Sequence, residues 1–183
     1  MPKRDKDTIT LGSGKAYLLE YADTIPTPEE ICIPENRLGY IKGGAALEYT
    51  QETYEEKDDL GYVVKVITTS EEALLKLGLL TWNGDTLTKL IDRCKSEEKE
   101  GKRVTKIGGA GNAQGKYYVV CFHHEDKTDG DVWVMIVGRN TAGATITFAT
   151  EEGTKLEPEF KALKALDDDG TLVMLFEELP AAG

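Results

Sequence analysis

Cysteine is scarce in this sequence, and long apolar runs are missing from it. The three cysteines, Cys32, Cys94 and Cys121, are odd in number, and their spacing matches no metal or redox motif. We therefore expect reduced thiols that pack as small apolar side chains in a reducing compartment. No run approaches the roughly 18 apolar residues of a membrane span. No apolar segment follows the basic start of the chain, so we also expect no signal peptide, and a cytoplasmic protein unless its assembly is later released.

Basic residues are also in short supply. The chain has 22 Lys and Arg against 33 Asp and Glu, so its formal net charge is −11. A surface that grips duplex nucleic acid needs clustered Lys and Arg, and this balance argues against one. The same balance suits a protein that lets nucleic acid pass without binding it, because a negative wall repels phosphates over about 10 Å in physiological salt.

The dominant hydrophobic period is two, which indicates strands. At 183 residues the chain is long enough for one domain with a real core, and residues 1–183 read as that single domain. Turn signals separate the candidate strands, which predicts a mainly β fold, an antiparallel β-sandwich or barrel with one flanking α-helix. The predicted strands are residues 16–21, 40–49, 62–69, 103–108, 116–124, 132–139, 144–150, 155–166 and 171–177.

The region that follows the third predicted strand contains the one predicted helix. Residues 68–82 are ambiguous: the run SEEALLKLGLL at 70–80 suits a helix by propensity but also alternates, and we favour extended structure there. The helix is predicted over 85–94, because Leu87, Leu90, Ile91 and Cys94 form an apolar stripe, with Asn83 or Asp85 as the N-cap. The charged run 95–103 is then typical of a solvated helix end and loop.

Two predicted strands are apolar on both faces. Residues 117–122, YYVVCF, and 132–137, VWVMIV, do not alternate as half-exposed antiparallel strands do. We expect cover on both sides, from an opposite sheet and from either the helix or a neighbouring subunit. By contrast, 144–150 has one apolar face and one small, mildly polar face suited to lining water.

Motifs that would carry chemistry are incomplete. Residues 11–15, LGSGK, lack the first glycine and the Ser or Thr of a P-loop, and 108–115, GGAGNAQG, leads into a strand and not a helix. His123 and His124 are adjacent on a strand and point to opposite faces, so they do not suit one metal ion. No nucleophile elbow is present. We expect no catalytic residue, no metal and no cofactor.

Residues 38–60, LGYIKGGAALEYTQETYEEKDDL, are the most unusual segment. They predict a strand that runs into a long acidic excursion and returns, which makes an extended hairpin arm at about 48–62. Such an arm costs ordering entropy and buries little by itself, so we expect it to meet something outside its own subunit. On its first strand Ile41, Ala45, Leu47 and Tyr49 share one face, whereas Lys42, Ala46 and Glu48 share the other.

The chain resembles the major tail (tail tube) proteins of long-tailed bacteriophages and of prophages of Gram-positive bacteria. The resemblance extends over about residues 8–178 and depends on the order and spacing of many segments, none of them diagnostic by itself. These are TITLGSGKAYLLEY, NRLGYIKGGAALEYTQETYEEKDDLG, VITTSEEALLKLGLLTWNGDTL, VTKIGGAGN, FHHEDKTDGDVWVMIVGRNTAG and EFKALKALDDDGTLVMLFEE.

The resemblance implies a structural role and no enzymatic activity. Members of that family form hexameric rings that stack into a hollow tube for the phage DNA, and a long loop reaches the adjacent ring. Here that implies an inter-ring arm formed by Gln51, Glu52, Thr53, Tyr54, Glu55, Glu56, Lys57, Asp58 and Asp59. It also implies a location in the virion tail after assembly in the host cytoplasm. The implied partners are further copies of the chain, tape-measure protein and transiting DNA in the lumen, and tail terminator and tip proteins.

Which residues face the lumen depends on a register that the sequence does not define. The candidates are Lys42, Glu48 and, on the returning strand, Lys65. Two alternatives stay open at this point. One is a tube subunit of a contractile phage-like machine or bacteriocin. The other is a monomeric ligand-binding β-barrel, which would need a pocket of convergent polar groups.

Overall fold

Antiparallel strands dominate the computed structural model, which describes residue 4 and residues 7–179. Of these residues 47% are in strands and 10% in helices, so the predicted mainly β, sandwich-like fold with a flanking helix is confirmed. The strands are β1 Lys15–Glu20, β2 Arg37–Gly39, β3 Ile41–Lys57, β4 Val63–Leu79, β5 Cys94–Lys99, β6 Lys102–Ile107, β7 Tyr118–His124, β8 Val132–Asn140, β9 Glu159–Lys164 and β10 Met174–Glu177. The helices are α1 Pro28–Ile31 and α2 Gly84–Leu90, with short 3-10 turns at Pro34–Asn36 and Ala110–Asn112.

One large sheet organises the molecule. Its strand order is β2-β1-β7-β8-β9-β4-β3, with β10 paired to β8, whereas β5 and β6 form a separate two-stranded sheet. Strands β3 and β2 therefore end the large sheet. Strand β3 has 17 residues and β2 has three, so one edge of the sheet is much longer than the other.

The core lies on both faces of the central strands. On one face Val120 and Ile136 pack with Phe160 of β9 and with residues of β4 and α2. On the other face Val119 and Val137 pack with Ile31 of α1. The double cover predicted for the apolar runs of β7 and β8 is thus confirmed, and in both cases the cover comes from the same chain.

Helix α2 is shorter than predicted. It spans Gly84–Leu90, and its N-cap is Asn83, whose side-chain oxygen accepts hydrogen bonds from the backbone N–H groups of Asp85 (2.9 Å) and Thr86 (3.0 Å). The prediction that the helix reaches Cys94 is wrong, because Ile91 is already extended and Cys94 begins β5. The apolar stripe is nevertheless buried, since its residues face the same core from a helix and then from a strand.

The charged run 95–103 is not a helix end and loop, as predicted, but most of a β-hairpin. Strands β5 and β6 pair from Cys94 opposite Ile107 to Lys99 opposite Lys102. Glu97 and Lys106 form an ion pair across the hairpin at 2.6 Å. In the sequence, a charged run of this kind is compatible both with a solvated helix and with a solvated two-stranded sheet. Only the cross-strand pairing shows which of the two forms.

The strand predicted over 144–150 is wrong, because these residues form no regular structure. The side chain of Asn140 ends β8 there: its amide nitrogen donates to the carbonyl of Gly143 at 2.7 Å, and its oxygen accepts from Ala142 N at 3.2 Å. The chain turns away from the sheet at that point. Phe148 is exposed, and residues 144–150 therefore form no water-lining strand.

Candidate assembly surface: the β3–β4 arm

The hairpin of β3 and β4 projects far beyond the core. Each strand has 17 residues, a length of about 56 Å at 3.3 Å per residue. The backbone of β9 pairs with β4 at Leu74, Leu75 and Lys76, and the Lys161 side chain reaches Glu72. Residues 50–71 are all exposed, and we name them the arm.

The arm differs in extent from the predicted excursion at about 48–62. Its outgoing strand matches that prediction, but its return strand stays exposed as far as Glu71. Of residues 68–82, which the sequence left ambiguous, those as far as Leu79 are in strand β4, as favoured, and take the hairpin back into the core. The arm is thus a continuous two-stranded ribbon and not a loop between two short strands.

Asp58 shapes the tip of the arm. Its carboxylate accepts hydrogen bonds from the backbone N–H groups of Leu60 at 3.0 Å and Tyr62 at 2.8 Å. Its backbone N–H donates to the carbonyl of Tyr62 at 2.9 Å. Gly61 has a φ of +84°, a conformation that glycine adopts without steric cost. Asp58, predicted as a contact residue, therefore has a role within its own turn.

The other polar residues of the outgoing strand make cross-strand and local contacts within the arm. Glu52 accepts a hydrogen bond from the Ser70 hydroxyl at 3.1 Å. The hydroxyl of Tyr54 donates to Glu56 at 2.5 Å, and this bond raises the pKa of the phenol. Nearer the core, the hydroxyl of Tyr49 donates to Glu71, which raises the pKa of that phenol too. These bonds order the arm without covering it.

Apolar residues on the return strand are the part of this surface that sequence reasoning missed. The hairpin tip and the first half of β4 expose a run of large apolar side chains, with exposed fractions from 46% at Ile67 to 82% at Leu60. The run YVVKVI lies within the strand predicted over 62–69, but that prediction does not include the exposure of its side chains. Its members are Leu60, Tyr62, Val63, Val64, Val66 and Ile67.

The register divides the arm into two faces. Residues directly opposite each other in an antiparallel pair lie on the same face. Val66 lies opposite Glu55, and Ile67 lies opposite Tyr54, so the two exposed β-branched residues are on different faces. Each face of the arm thus combines acidic or phenolic groups of β3 with an apolar residue of β4.

The face shared by the first residues of β3 is as predicted. Ile41, Ala45, Leu47 and Tyr49 lie opposite the core residues Leu79, Leu77, Leu75 and Ala73. A bulge at Gly43 and Gly44 adds two residues to β3 between the first two of these pairs, which preserves the alternation.

The three candidate lumen residues do not come together. Glu48 pairs with Lys76 at 3.0 Å near the base of the hairpin, and Lys42 is exposed just before the bulge. Lys65 lies near the tip, opposite Glu56. Eight strand residues separate Glu48 from Glu56, a distance of about 27 Å. A lumen wall that contained all three side chains would have to extend from the base of the hairpin to its tip.

An unpaired edge runs along the hairpin. Within residues 4 and 7–179, no strand pairs with the edge of β3 that faces away from β4. Between Leu74 and the hairpin tip, β4 likewise has no strand on the edge that faces away from β3. Exposed edges present rows of N–H and C=O groups that can pair with another chain. The arm therefore offers apolar side chains, acidic groups and backbone hydrogen-bonding groups at one place.

The two histidines have separate partners. His123 Nε2 lies 2.7 Å from the Asp131 carboxylate, whereas His124 Nδ1 lies 2.8 Å from the carbonyl of Ser13. Among the described residues, no group of three or more His, Cys, Asp and Glu is placed to hold a metal ion. No helix within that part of the chain is long and apolar enough to cross a membrane.

A cleft of about 520 Å³ lies between α2 and the β5–β6 hairpin. Its charged side chains have partners of their own: Lys106 pairs with Glu97 at 2.6 Å, and Lys95 donates to the carbonyl of Gly111 at 3.1 Å. These side chains are therefore already engaged within the chain.

Comparisons with known proteins add no relative. No family model matches the chain, and no curated protein matches it. The function is therefore inferred from the arm and from the residues themselves.

Proposed function

We propose that this protein is a structural subunit that assembles with copies of itself into hexameric rings, stacked as the hollow tail tube that conducts phage DNA. The observation that carries the proposal is the arm, in which every residue from 50 to 71 is exposed. An isolated two-stranded ribbon is marginally stable in water, and large exposed apolar patches mark interaction sites. A second copy is the simplest partner for such an arm, because every copy carries the same feature.

The chemistry of the arm favours contact along its length. Val63, Val64, Val66 and Ile67 offer apolar area, and the residues opposite them include a lysine, a carboxylate and a tyrosine: Lys57, Glu55 and Tyr54. Tyrosine is well suited to interfaces, since it combines a large apolar ring with a hydrogen-bonding hydroxyl. In the proposed tube the arm lies against a subunit of the adjacent ring, and a lattice of such contacts repeats around the axis.

The net charge of −11 supports a lumen that does not retain DNA. Tape-measure protein would occupy that lumen before the DNA passes, and terminator and tip proteins would close the two ends. The proposed location of the finished assembly is the virion tail. These assignments extend the resemblance in sequence described above.

The test removes the arm without disturbing the rest of the sheet. Residues 52–70 are replaced by an Asn-Gly turn that joins Gln51 and Glu71, which lie directly opposite each other. The truncated subunit is expected to fold, because the removed residues are exposed, and its far-ultraviolet spectrum should stay that of a mainly β protein, weakened by the loss of strand residues from β3 and β4. Electron microscopy of the wild type should show stacked rings or rods, and the truncated protein should show none.

The matched control shortens the other exposed hairpin in the same way. Residues 98–103 are replaced by an Asn-Gly turn that joins Glu97 and Val104, another directly opposite pair. This variant should still form rods. Rods of normal length from the arm-truncated protein would contradict an inter-ring role for the arm. A wild-type protein that stays monomeric at high concentration in every salt would contradict assembly itself.

A further inference from the structure

Two of the cysteines, far apart in sequence, meet beside the central sheet. The Sγ atoms of Cys32 and Cys121 are 3.7 Å apart, although 89 positions separate the residues. Cys121 is completely buried in the middle of β7, between Tyr17 of β1 and Met135 of β8. Cys32 is partly buried at the end of α1. Cys94, buried in the other core cluster, packs on the opposite face of the sheet.

The two thiols have different chemical environments. The hydrogen bond from the Cys121 thiol and one from the Trp133 side chain lower the pKa of Cys32, against opposing effects of burial and of Glu29. The same contact with Cys32, together with burial, raises the pKa of Cys121. Tyr17 and Glu125 are the other titratable groups that act on this pair. Thiolate character, which makes a cysteine nucleophilic, therefore lies with the more accessible member.

We propose that Cys32 and Cys121 are an oxidisable dithiol that a peroxide converts to an intramolecular disulfide. A disulfide needs an S–S distance of about 2.05 Å, so the sulfurs must approach each other by a small movement. Strands β1 and β8 hold Cys121 in place on both sides. Cys32 ends a four-residue helix in the connection between β1 and β2, and this residue supplies the movement.

The chemistry takes place in two balanced steps. The Cys32 thiolate attacks one oxygen of hydrogen peroxide, the S–O bond forms, the O–O bond breaks, and the departing hydroxide takes up a proton as water. The Cys121 sulfur then attacks the Cys32 sulfenic acid, the S–S bond forms and the S–O bond breaks. The oxygen leaves as water with the Cys121 proton. The two thiols lose two electrons in total, and one peroxide is reduced to two waters.

The cross-link would join the β1–β2 connection to the central strand. That connection carries α1, whose Ile31 is completely buried against the second core cluster. A disulfide between residues far apart in sequence restricts the unfolded chain strongly, and restriction of the unfolded chain stabilises the fold. Oxidation should therefore raise the melting temperature of the subunit by several degrees. This inference does not depend on assembly, and it applies equally to a single subunit.

The experiment treats the purified full-length protein with hydrogen peroxide, blocks the remaining thiols with N-ethylmaleimide, and maps peptides without reduction. The expected product is one peptide pair that links Cys32 to Cys121, with an intact mass lower by two hydrogens before alkylation. The count of titratable thiols in denaturant should fall from the three of the sequence to one. The remaining thiol should be Cys94, and the C94S variant should form the same cross-link.

Two variants make the result decisive. In C32S, peroxide should leave Cys121 as a thiol and produce no rise in melting temperature. In C121S, Cys32 should stop at the sulfenic acid, which dimedone traps, and if the buried C121S substitution prevents folding, C32S alone supplies the comparison. Retention of all three thiols in the wild type would overturn the proposal. So would a Cys32 oxidised to sulfinic acid, or linked between two molecules, with Cys121 still free.

Discussion

At the scale of single residues, Asn140 shows how one side chain decides the course of the chain. Its amide nitrogen donates to the carbonyls of Leu90 (2.9 Å) and Gly143 (2.7 Å). Its oxygen accepts from the backbone N–H groups of Ala142 (3.2 Å) and Glu159 (2.9 Å). One residue thus joins the end of α2, the end of β8 and the start of β9, and no local pattern in the sequence marks it for this role.

Asn140→Ala is expected to lower the free energy of unfolding by about 1–3 kcal/mol, because it leaves partly buried backbone groups without partners. Urea unfolding followed by circular dichroism measures the change. The matched control is Asn112→Ala, which removes one exposed bond to the Gly108 carbonyl and should cost less than about 1 kcal/mol. Equal losses in the two variants would show that the Asn140 network adds no more stability than the single exposed hydrogen bond of Asn112.

At the scale of elements, β3 and β4 combine two roles within single strands. The half near Leu75 and Leu77 belongs to the core, and the half near Val66 belongs to the arm. The hydrophobic pattern does not show which half is buried, because β4 is apolar on both sides of the polar run TTSEE at 68–72. Whether such a residue is buried depends on what lies next to the strand, and the backbone pairing of β9 with β4 ends at Leu74.

Substitution of Val66 and Ile67 by Thr tests the arm as an element. Both residues are exposed in the subunit, so the double variant should unfold within about 0.5 kcal/mol of the wild type. Loss of buried apolar area at an interface should raise the critical concentration for rods by about tenfold or more. Sedimentation at a series of concentrations measures it.

The matched control for this pair is Val104→Thr on β6, a similar exposed β-branched position on the other hairpin. It should leave the critical concentration unchanged. Because Val66 and Ile67 lie on different faces, the two single variants also identify which face of the arm meets the partner. Unchanged rod formation in the double variant would show that these side chains stay in water after assembly.

At the scale of the whole molecule, charge opposes the proposed assembly while apolar area favours it. Each subunit has a net charge of −11, and copies brought together repel one another. Salt screens this repulsion, since the Debye length falls from about 30 Å at 0.01 M to about 10 Å at 0.1 M. Added salt should therefore favour an assembly that apolar contact stabilises and charge repulsion opposes.

The critical concentration for rods is expected to fall as sodium chloride rises from about 0.01 to 0.1 M. Light scattering across this range measures it. The variant with Glu55→Gln and Glu56→Gln keeps the shape of the arm but removes two negative charges, and it should depend less on salt. Rods that dissolve as salt rises would indicate instead that ion pairs hold the assembly.

The class of fold follows from local patterns. Period-two alternation, turn residues and one apolar stripe at helical spacing predict a mainly β protein with a flanking helix, because these patterns reflect which side of each element is buried. The double cover of β7 and β8 was predictable for the same reason. Among the wrong predictions, those for the end of α2 and for 95–103 concern segments whose local pattern fits a helix as well as a strand, and that for 144–150 concerns a segment whose alternation finds no strand partner.

By itself, the sequence determined the mainly β class of the fold, the excess of negative charge and the presence of an excursion near residue 50. Only the tertiary structure decided that the excursion is a ribbon as far as Glu71, and that Cys32 lies beside Cys121. The physical reason is that burial and pairing depend on neighbours that are distant in the chain. Strand β9 limits the core along β4, and β1 and α1 together bring the two thiols within 3.7 Å.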